Sequence, residues 1–302
     1  MKEYLLPYVV VFIPAYNEEK TITEVINKLN KIYNSGKERD FVLDTIVVDD
    51  GSKDKTAQIA KQAGVKKIVV HPYNRGLGAS TRTGMQTAYE MGADIAVKID
   101  ADMQNPPEDV EKVIRPILDN RADVVFGTRL TGGLQYKMPF YRELGNKFFA
   151  WLCSKITGLK VTDATTGLIA FHKRYLAVFN IIKDYNETQL LIIDSWGKHM
   201  RVTEVPTVFH KREGGKSFIN AGLKYPANVL PTMFRMYIHF KPLRFFLSIG
   251  LIFIILGIIG GIYLLIDPTN IFGDAAIAIL IIVGVQIIIF GLLADQISYR
   301  RK

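Results

Sequence analysis

Residues 8–19 read Tyr8-Val9-Val10-Val11-Phe12-Ile13-Pro14-Ala15-Tyr16-Asn17-Glu18-Glu19. The first six form a short β-branched, apolar run that stops at a proline, the pattern of a strand covered on both faces of a parallel sheet. From Glu18 to Tyr33 apolar residues return at Ile22, Val25, Ile26, Leu29 and Ile32, the spacing of one helix face. The alternation then repeats. Residues 45–48 read as a strand, 56–63 as a helix, 67–70 as a strand, 78–91 as a helix and 95–99 as a strand. Such an order predicts an α/β fold with a mostly parallel sheet and helices on both faces.

Ligands of such folds bind beyond the carboxyl ends of the strands. The polar motifs fall at those ends: Pro14 to Glu19 after the first strand, Asp49-Asp50-Gly51-Ser52 after the second, and Asp100-Ala101-Asp102 after a later one. One acidic strand end reads more readily as a helix cap than as a site, and Ser52 is expected to cap its helix. Three converging on one rim point to a site. Two carboxylates one residue apart in an extended turn offer hard oxygen ligands for Mg²⁺ or Mn²⁺, with diphosphate oxygens completing the shell. Asn74-Arg75-Gly76-Leu77-Gly78-Ala79 lacks the third glycine of a dinucleotide fingerprint and does not follow the first strand. It reads instead as a tight turn into the next helix, with its backbone close to the nucleotide.

With these elements in order, the chain resembles the family-two glycosyltransferases of the GT-A fold, a Rossmann-like architecture, and within them the dolichyl-phosphate mannose synthase branch. The resemblance also takes in Gln104, Pro106-Pro107, Gly127-Thr128-Arg129, residues 163–167 and Arg212-x-x-Gly215-x-Ser217, and it covers about residues 7–217. It implies that Pro14, Ala15, Tyr16, Glu18, Val48 and Asp50 hold the base and ribose. It implies further that Asp100, Ala101 and Asp102 meet nucleotide and metal, with Asp102 and Gln104 as metal ligands. Arg129 and Arg212 would face the diphosphate or an acceptor phosphate, joined there by Arg142 and Ser217, with Lys173 a weaker candidate. Asp100, Asp102, Arg129 and Arg212 form the expected catalytic set. The pattern also departs from the branch. Thr166 stands where Ser is frequent, Ile169-Ala170 replaces an aromatic–Arg pair, and Phe218 follows Ser217 where Lys is common.

The chain of 302 residues carries a net charge of +9. Lys211, Arg212, Lys216, Lys224, Arg235, Lys241 and Arg244 are opposed only by Glu213, immediately before the first apolar span. A basic segment beside a span favours anionic lipid over nucleic acid as the partner. Residues 245–266 and 275–294 hold no charge, and each would reach roughly 30 Å as a helix, the depth of a bilayer core. The short loop between them is acidic, whereas Lys241, Arg244, Arg300, Arg301 and Lys302 flank the pair. Those flanks predict a hairpin with both ends cytosolic. The expected domains are a cytosolic catalytic domain over 1–217, short interfacial amphipathic helices broken by Pro226 and Pro231 over 218–244, and a transmembrane hairpin with a basic tail over 245–302. Gly257, Gly260, Gly261, Gly284 and Gly291 allow close helix contact, within the hairpin or in a homo-oligomer. Cys153, the single cysteine, excludes an intrachain disulfide and reads as a buried apolar residue. The amino terminus has no secretory signal, so the first domain is expected in the cytosol.

A sugar hydroxyl acceptor needs a general base, whereas a phosphate monoester, with a second pKa of about 6, is already largely ionised at neutral pH. The combined features predict inverting transfer of a hexose from a nucleotide-sugar, of the GDP-mannose or UDP-glucose type, to a polyprenyl (dolichyl or undecaprenyl) phosphate. A processive polysaccharide synthase is disfavoured, because neither Trp151 nor Trp196 follows an arginine and only two spans exist. A hydroxyl acceptor with Glu187 as base remains an alternative, as does a catalytically silent membrane-tethered binder.

Overall fold

The structure is a computed structural model describing residues 6–33, 38–132, 139–181, 184, 187–210, 224–266 and 273–299. Its first half alternates as expected: β1 (Tyr8–Ala15), α1 (Ile22–Tyr33), β2 (Val42–Asp49), α2 (Thr56–Gln62), β3 (Lys67–Val70), α3 (Leu77–Glu90) and β4 (Ile95–Lys98). A 3₁₀ turn (Pro107–Asp109) leads into α4 (Val110–Leu118), followed by β5 (Val124–Thr128), α5 (Arg129–Gly132), α6 (Phe140–Thr157), β6 (Ile169–His172), α7 (Lys173–Leu176), α8 (Thr188–Gly197) and β7 (Val202–Pro206). The seven strands form one sheet in the order β3-β2-β1-β4-β6-β5-β7. All neighbours are parallel except those of β6, which runs against both β4 and β5.

The pleat of β1 explains why the opening run is apolar throughout. Val9, Val11 and Ile13 join one core with Ile22, Val25, Ile26 and Leu29 of α1 and with Val113, Ile114 and Ile117 of α4. Phe12, on the other face, stacks on Phe171 of β6 at 6.4 Å between ring centroids. Burying a side chain of this size stabilises the fold by roughly 1.5–3 kcal/mol, and β1 does so on both sides. α1 begins at Ile22 rather than at Glu18, because the Glu18 backbone N–H donates to Thr56 Oγ1 and its carboxylate accepts from Thr21 Oγ1. Those polar residues belong to the loop.

The chain divides into two compact units, Met1–Val229 and Leu230–Lys302. α9 (Lys224–Phe240) is one helix where two prolines had suggested several. Pro231 sits inside it, next to the division between the units. In the second unit α10 (Pro242–Ile266) and α11 (Asp274–Tyr299) form an antiparallel hairpin. The expected spans lie within these helices. Only 17% and 11% of their apolar windows are buried, far below what the core helices of a soluble protein show. A Cβ on Gly250 would lie 2.7 Å from the Gly284 carbonyl oxygen, and one on Gly257 would lie 2.7 Å from Ile281. These contacts, and that of Gly291 with Phe246, use the glycines for pairing inside the hairpin.

Candidate active site

Every strand except β6 ends on one rim, and β6 begins there, since Ile169 is paired with both Lys98 and Phe126. The loops leaving β1, β2, β4, β5 and β7 therefore meet the loop entering β6. The β1 and β2 loops are stapled together. Ser52 Oγ accepts from the Asn17 N–H at 2.9 Å, and the Lys53 N–H donates to Asn17 Oδ1 at 2.8 Å. Asn17 itself takes a left-handed conformation (φ 54°). Ser52 does not cap α2 as expected. Its hydroxyl is held by Asp49, and it is Asp54 Oδ1 that accepts from the Thr56 N–H at 3.0 Å.

Asp50 is buried and organises the turn before α3. Its carboxylate accepts from the Arg75 and Gly76 N–H groups at 3.0 and 2.7 Å and lies 2.7 Å from His71 Nδ1. Gly76 is required there, because its φ is 100° and a Cβ would come within 2.5 Å of the Asp184 carbonyl oxygen. The turn expected at residues 74–78 is thus present, built on Asp50.

At the end of β4, Lys98 Nζ lies 2.7 Å from Asp100 Oδ1 and 3.1 Å from Glu187 Oε1. Burial alone would lower the lysine pKa, but the two carboxylates outweigh it and hold the ammonium above its ordinary value. The second oxygen of Asp100 lies over Gly167, where any Cβ would run into the carboxylate. Asp102 Oδ1 accepts from the Gln104 N–H at 3.1 Å, and Gln104 pairs with His210 through both backbone and side chain.

Arg129 begins α5 directly after β5. Its Nε donates to Asp163 Oδ2 at 2.8 Å, and Nη2 reaches Asp163 Oδ1 at 3.2 Å and the Thr165 carbonyl at 3.0 Å. The Phe209 ring lies 4.7 Å from its guanidinium carbon. Asp163 is fully buried and also accepts from Asn146 Nδ2 of α6 at 3.1 Å. The charge presented here is that of an oriented Arg–Asp pair rather than of a lone cation. Behind it, the Glu204 carboxylate accepts from Thr162 and Asp163 N–H groups, and burial pushes its pKa up.

A cavity of about 150 Å³ joins these groups. Pro14, Ala15, Tyr16, Glu18, Asp50, Asp100, Ala101, Asp102, Gln104 and Arg129 all line it. Val48 does not. It is fully buried within β2, paired with Pro14 on one side and Val69 on the other. Arg142 sits in the first turn of α6 and is not among the described lining residues, while Arg212 and Ser217 lie outside the described residues. Lys173 is at the opposite rim, bound to Asp94 at 2.6 Å, because β6 runs backwards and carries its carboxyl end away from the site. Cys153 is buried, which pushes its thiol pKa up to about 12.

Ser80, Lys98, Thr188 and Phe209 also line the cavity and lie outside every motif in the sequence. A lone charge within the otherwise apolar run 95–99 was the available signal for Lys98.

Among the described residues no group of three or more His, Cys, Asp or Glu is arranged to hold a metal ion. A Mg²⁺ or Mn²⁺ that takes one or two protein oxygens and completes its shell with phosphate and water needs no such group. The donor set fits that kind of site. Asp102 and Gln104 supply hard oxygens, Asp100 is held beside them by Lys98, and the bare Gly167 leaves room for its carboxylate.

The model of a family described as Glycosyl transferase family 2 matches residues 10–179, and that of the GtrB C-terminal hairpin matches residues 241–299. The UDP-N-acetylglucosamine–dolichyl-phosphate N-acetylglucosaminyltransferase of Methanococcus voltae is 36% identical over 217 residues, covering 65% of this chain and 83% of that protein. The undecaprenyl-phosphate mannosyltransferase of Micrococcus luteus is 29% identical, over 78% of this chain and 97% of that one. The dolichol-phosphate mannosyltransferase of Pyrococcus furiosus is 30% identical, over 68% and 58%. Among solved structures, glucosyl-3-phosphoglycerate synthase of Mycobacterium tuberculosis in complex with Mn²⁺, UDP-glucose and phosphoglyceric acid aligns with a TM-score of 0.60. It is 20% identical over 76% of this chain and 80% of that one, a likeness of fold alone.

Proposed function

The chain belongs to glycosyl transferase family 2, and we propose that it moves a hexose from a nucleotide-sugar to a polyprenyl phosphate, with inversion, at the cytosolic face of a membrane. The observation that carries this reading is that Asp100, Ala101, Asp102 and Gln104 line the same cavity as residues of the β1 loop and Arg129. The relatives support the acceptor, since the three named above all carry dolichyl, dolichol or undecaprenyl phosphate in their names. They differ in sugar, so the donor is GDP-mannose, a UDP-hexose or, following the Methanococcus relative, UDP-N-acetylglucosamine.

In this reading Pro14, Ala15, Tyr16, Glu18 and the Asp50-built turn receive the base and ribose, and Asp100 and Asp102 meet the diphosphate. Asp102 and Gln104 would hold a divalent ion, which would supply positive charge to the departing diphosphate. An acceptor phosphate oxygen forms the new bond to the anomeric carbon, while the old carbon–oxygen bond breaks and its electron pair leaves with the nucleoside diphosphate. The acceptor is already ionised, so this chain needs to position it rather than deprotonate it. The Arg129–Asp163 pair, fixed by Thr165 and Phe209, suits orientation of a phosphate without burying an uncompensated charge. Arg142, Arg212 and Ser217 are proposed to guide the acceptor at the lip. The basic flanks of the hairpin support a cytosolic catalytic unit, with α9 lying in the interface.

Membranes containing the chain, offered a panel of nucleotide-sugars and polyprenyl phosphates with Mg²⁺ or Mn²⁺, test this reading. Turnover of one donor to a lipid-linked product of inverted configuration, lost in Asp102→Asn, is the expected result. Retained configuration, or an unchanged rate in Asp102→Asn, overturns it. A hydroxyl acceptor is the second reading and rests on Glu187, whose buried carboxylate lines the same cavity. Transfer to a lipid-free hydroxyl acceptor would favour it.

A further inference from the structure

Glu187 has no task in transfer to a phosphate, because that acceptor needs no base. Its carboxylate nevertheless lines the cavity, with the side chain only 1% exposed. It stands directly before α8, where a side-chain oxygen commonly accepts from the first N–H groups of the helix. Here the side chain makes no such bond. Oε1 lies 3.1 Å from Lys98 Nζ, and apart from that ion pair neither oxygen is met by a donor among the described residues. Thr188, the next residue, donates from Oγ1 to the Thr166 carbonyl at 3.1 Å and fixes the start of α8 against the loop that enters β6. The carboxylate is thus held in the cavity wall with most of its acceptor positions open.

We propose that Glu187 selects the donor sugar: its carboxylate accepts from a hydroxyl or amide N–H of a neutral or N-acylated hexose and turns hexuronic acids away. The proposal rests on the reading that this cavity takes a nucleotide-sugar. In such a donor the diphosphate only accepts hydrogen bonds, so a partner for Glu187 must come from base, ribose or sugar. Base and ribose fall to the β1 loop and the Asp50-built turn. Glu187 instead shares the Lys98 ammonium with Asp100, which is proposed to meet the diphosphate, so the sugar is what remains for it. Charge favours the same class. Lys98 is one cation between two carboxylates, which leaves one negative charge in excess. Arg129, the other cation among the described lining residues, is tied to Asp163. A sugar carboxylate would find no open cation on this wall, and against Glu187 it would meet like charge where burial leaves little screening. A hydroxyl or amide N–H supplies the donor that the buried carboxylate lacks, a bond that contributes about 10- to 100-fold in affinity.

The test measures donor binding by calorimetry on the full chain in detergent, with Mn²⁺ and without acceptor. The probes are UDP-glucose, UDP-N-acetylglucosamine and GDP-mannose, the hexuronates UDP-glucuronate and GDP-mannuronate, and UDP and GDP alone. For the base that binds, the parent should prefer the neutral sugar over the hexuronate by at least about tenfold. In Glu187→Gln that preference should shrink to about threefold or less, with affinity for the nucleoside diphosphate alone held within about twofold. A residue that only supported the fold would move the diphosphate as well, and a general base would alter turnover without altering this binding. If Glu187→Gln does not fold, deoxy forms of the bound hexose, lacking one hydroxyl or acetamido group at a time, replace it. One of them should then bind the parent at least about tenfold more weakly. Equal binding of hexose and hexuronate, an unchanged preference in Glu187→Gln, or no loss with any deoxy form overturns the proposal. Lipid-linked product from the same preparation would leave the transferase reading standing in each of those cases. Failure of every nucleotide to bind removes the premise, and the proposal with it.

Discussion

Lys98 and Glu187, each with its side chain only 1% exposed, are ion-paired at 3.1 Å, and the same ammonium holds Asp100 at 2.7 Å. One buried cation therefore carries two carboxylates, one in the metal motif and one on the far wall of the cavity. Lys98→Met would leave Glu187 buried and unpaired, at a cost of about 3–5 kcal/mol. Thermal unfolding in detergent should show a large drop, and Lys98→Met with Glu187→Gln should recover part of it. An unchanged melting temperature in the single variant would mean that the pair is hydrated.

Gly167→Ala should act differently. Its Cβ would enter the space of the Asp100 carboxylate while the surrounding backbone keeps its hydrogen bonds. If Asp100 meets the diphosphate as proposed, displacing it by about 1 Å costs roughly 100-fold in rate. Turnover measured with saturating donor should fall by that order, with little change in melting temperature.

Arg129→Lys tests the fork. Lysine carries the charge but cannot donate to Asp163 and Thr165 together, as Nε and Nη2 of Arg129 do. A fall of at least about tenfold in kcat/KM for the lipid acceptor is expected. An equal rate would show that only the charge matters.

Chelation should abolish turnover, and Mn²⁺ or Mg²⁺ should restore it. If Gln104 is a ligand as proposed, Gln104→Leu should raise the metal concentration for half-maximal rate by about tenfold or more. Titrating the ion against initial rate checks this.

Asp123 lies on the opposite rim. Hydrogen bonds from Arg201 hold its carboxyl at about 2 against the opposing effect of burial. A depressed carboxyl pKa stabilises the fold above the unfolded value near 4 and loses that contribution as pH falls through about 2. The contribution is on the order of 2 kcal/mol. Melting temperature should drop more steeply between about pH 4 and 2 in the parent than in Asp123→Asn, whose stability lacks this titration.

The first half of the fold was legible because β-branched runs and helical spacing alternate cleanly from Tyr8 to Lys98, and the acidic strand ends converge as that order implies. The reversal of β6 was not legible. Four residues, Ile169–His172, carry no signal of direction, and their pairing is settled by what lies between β4 and β5. Lys173 was misplaced for the same reason. A serine before a helix usually caps it, yet Asp54 lies nearer the first turn of α2 than Ser52 does. Val48, which the resemblance sets among the nucleotide-binding residues, is instead turned into the core by the pleat of β2. Pro231 suggested a break that the helix tolerates.

The backward course of β6 also bears on how such a site can diversify. Residues 163–167 reach the rim on an inbound connection, while the loops of β1, β2 and β4 reach it on outbound ones. An insertion or deletion in the inbound loop would reshape the wall around Gly167 and Thr165 without altering the length of any segment that meets Tyr16, Asp50 or Asp102. The topology thereby lets one side of the cavity drift over evolutionary time while the other is inherited intact.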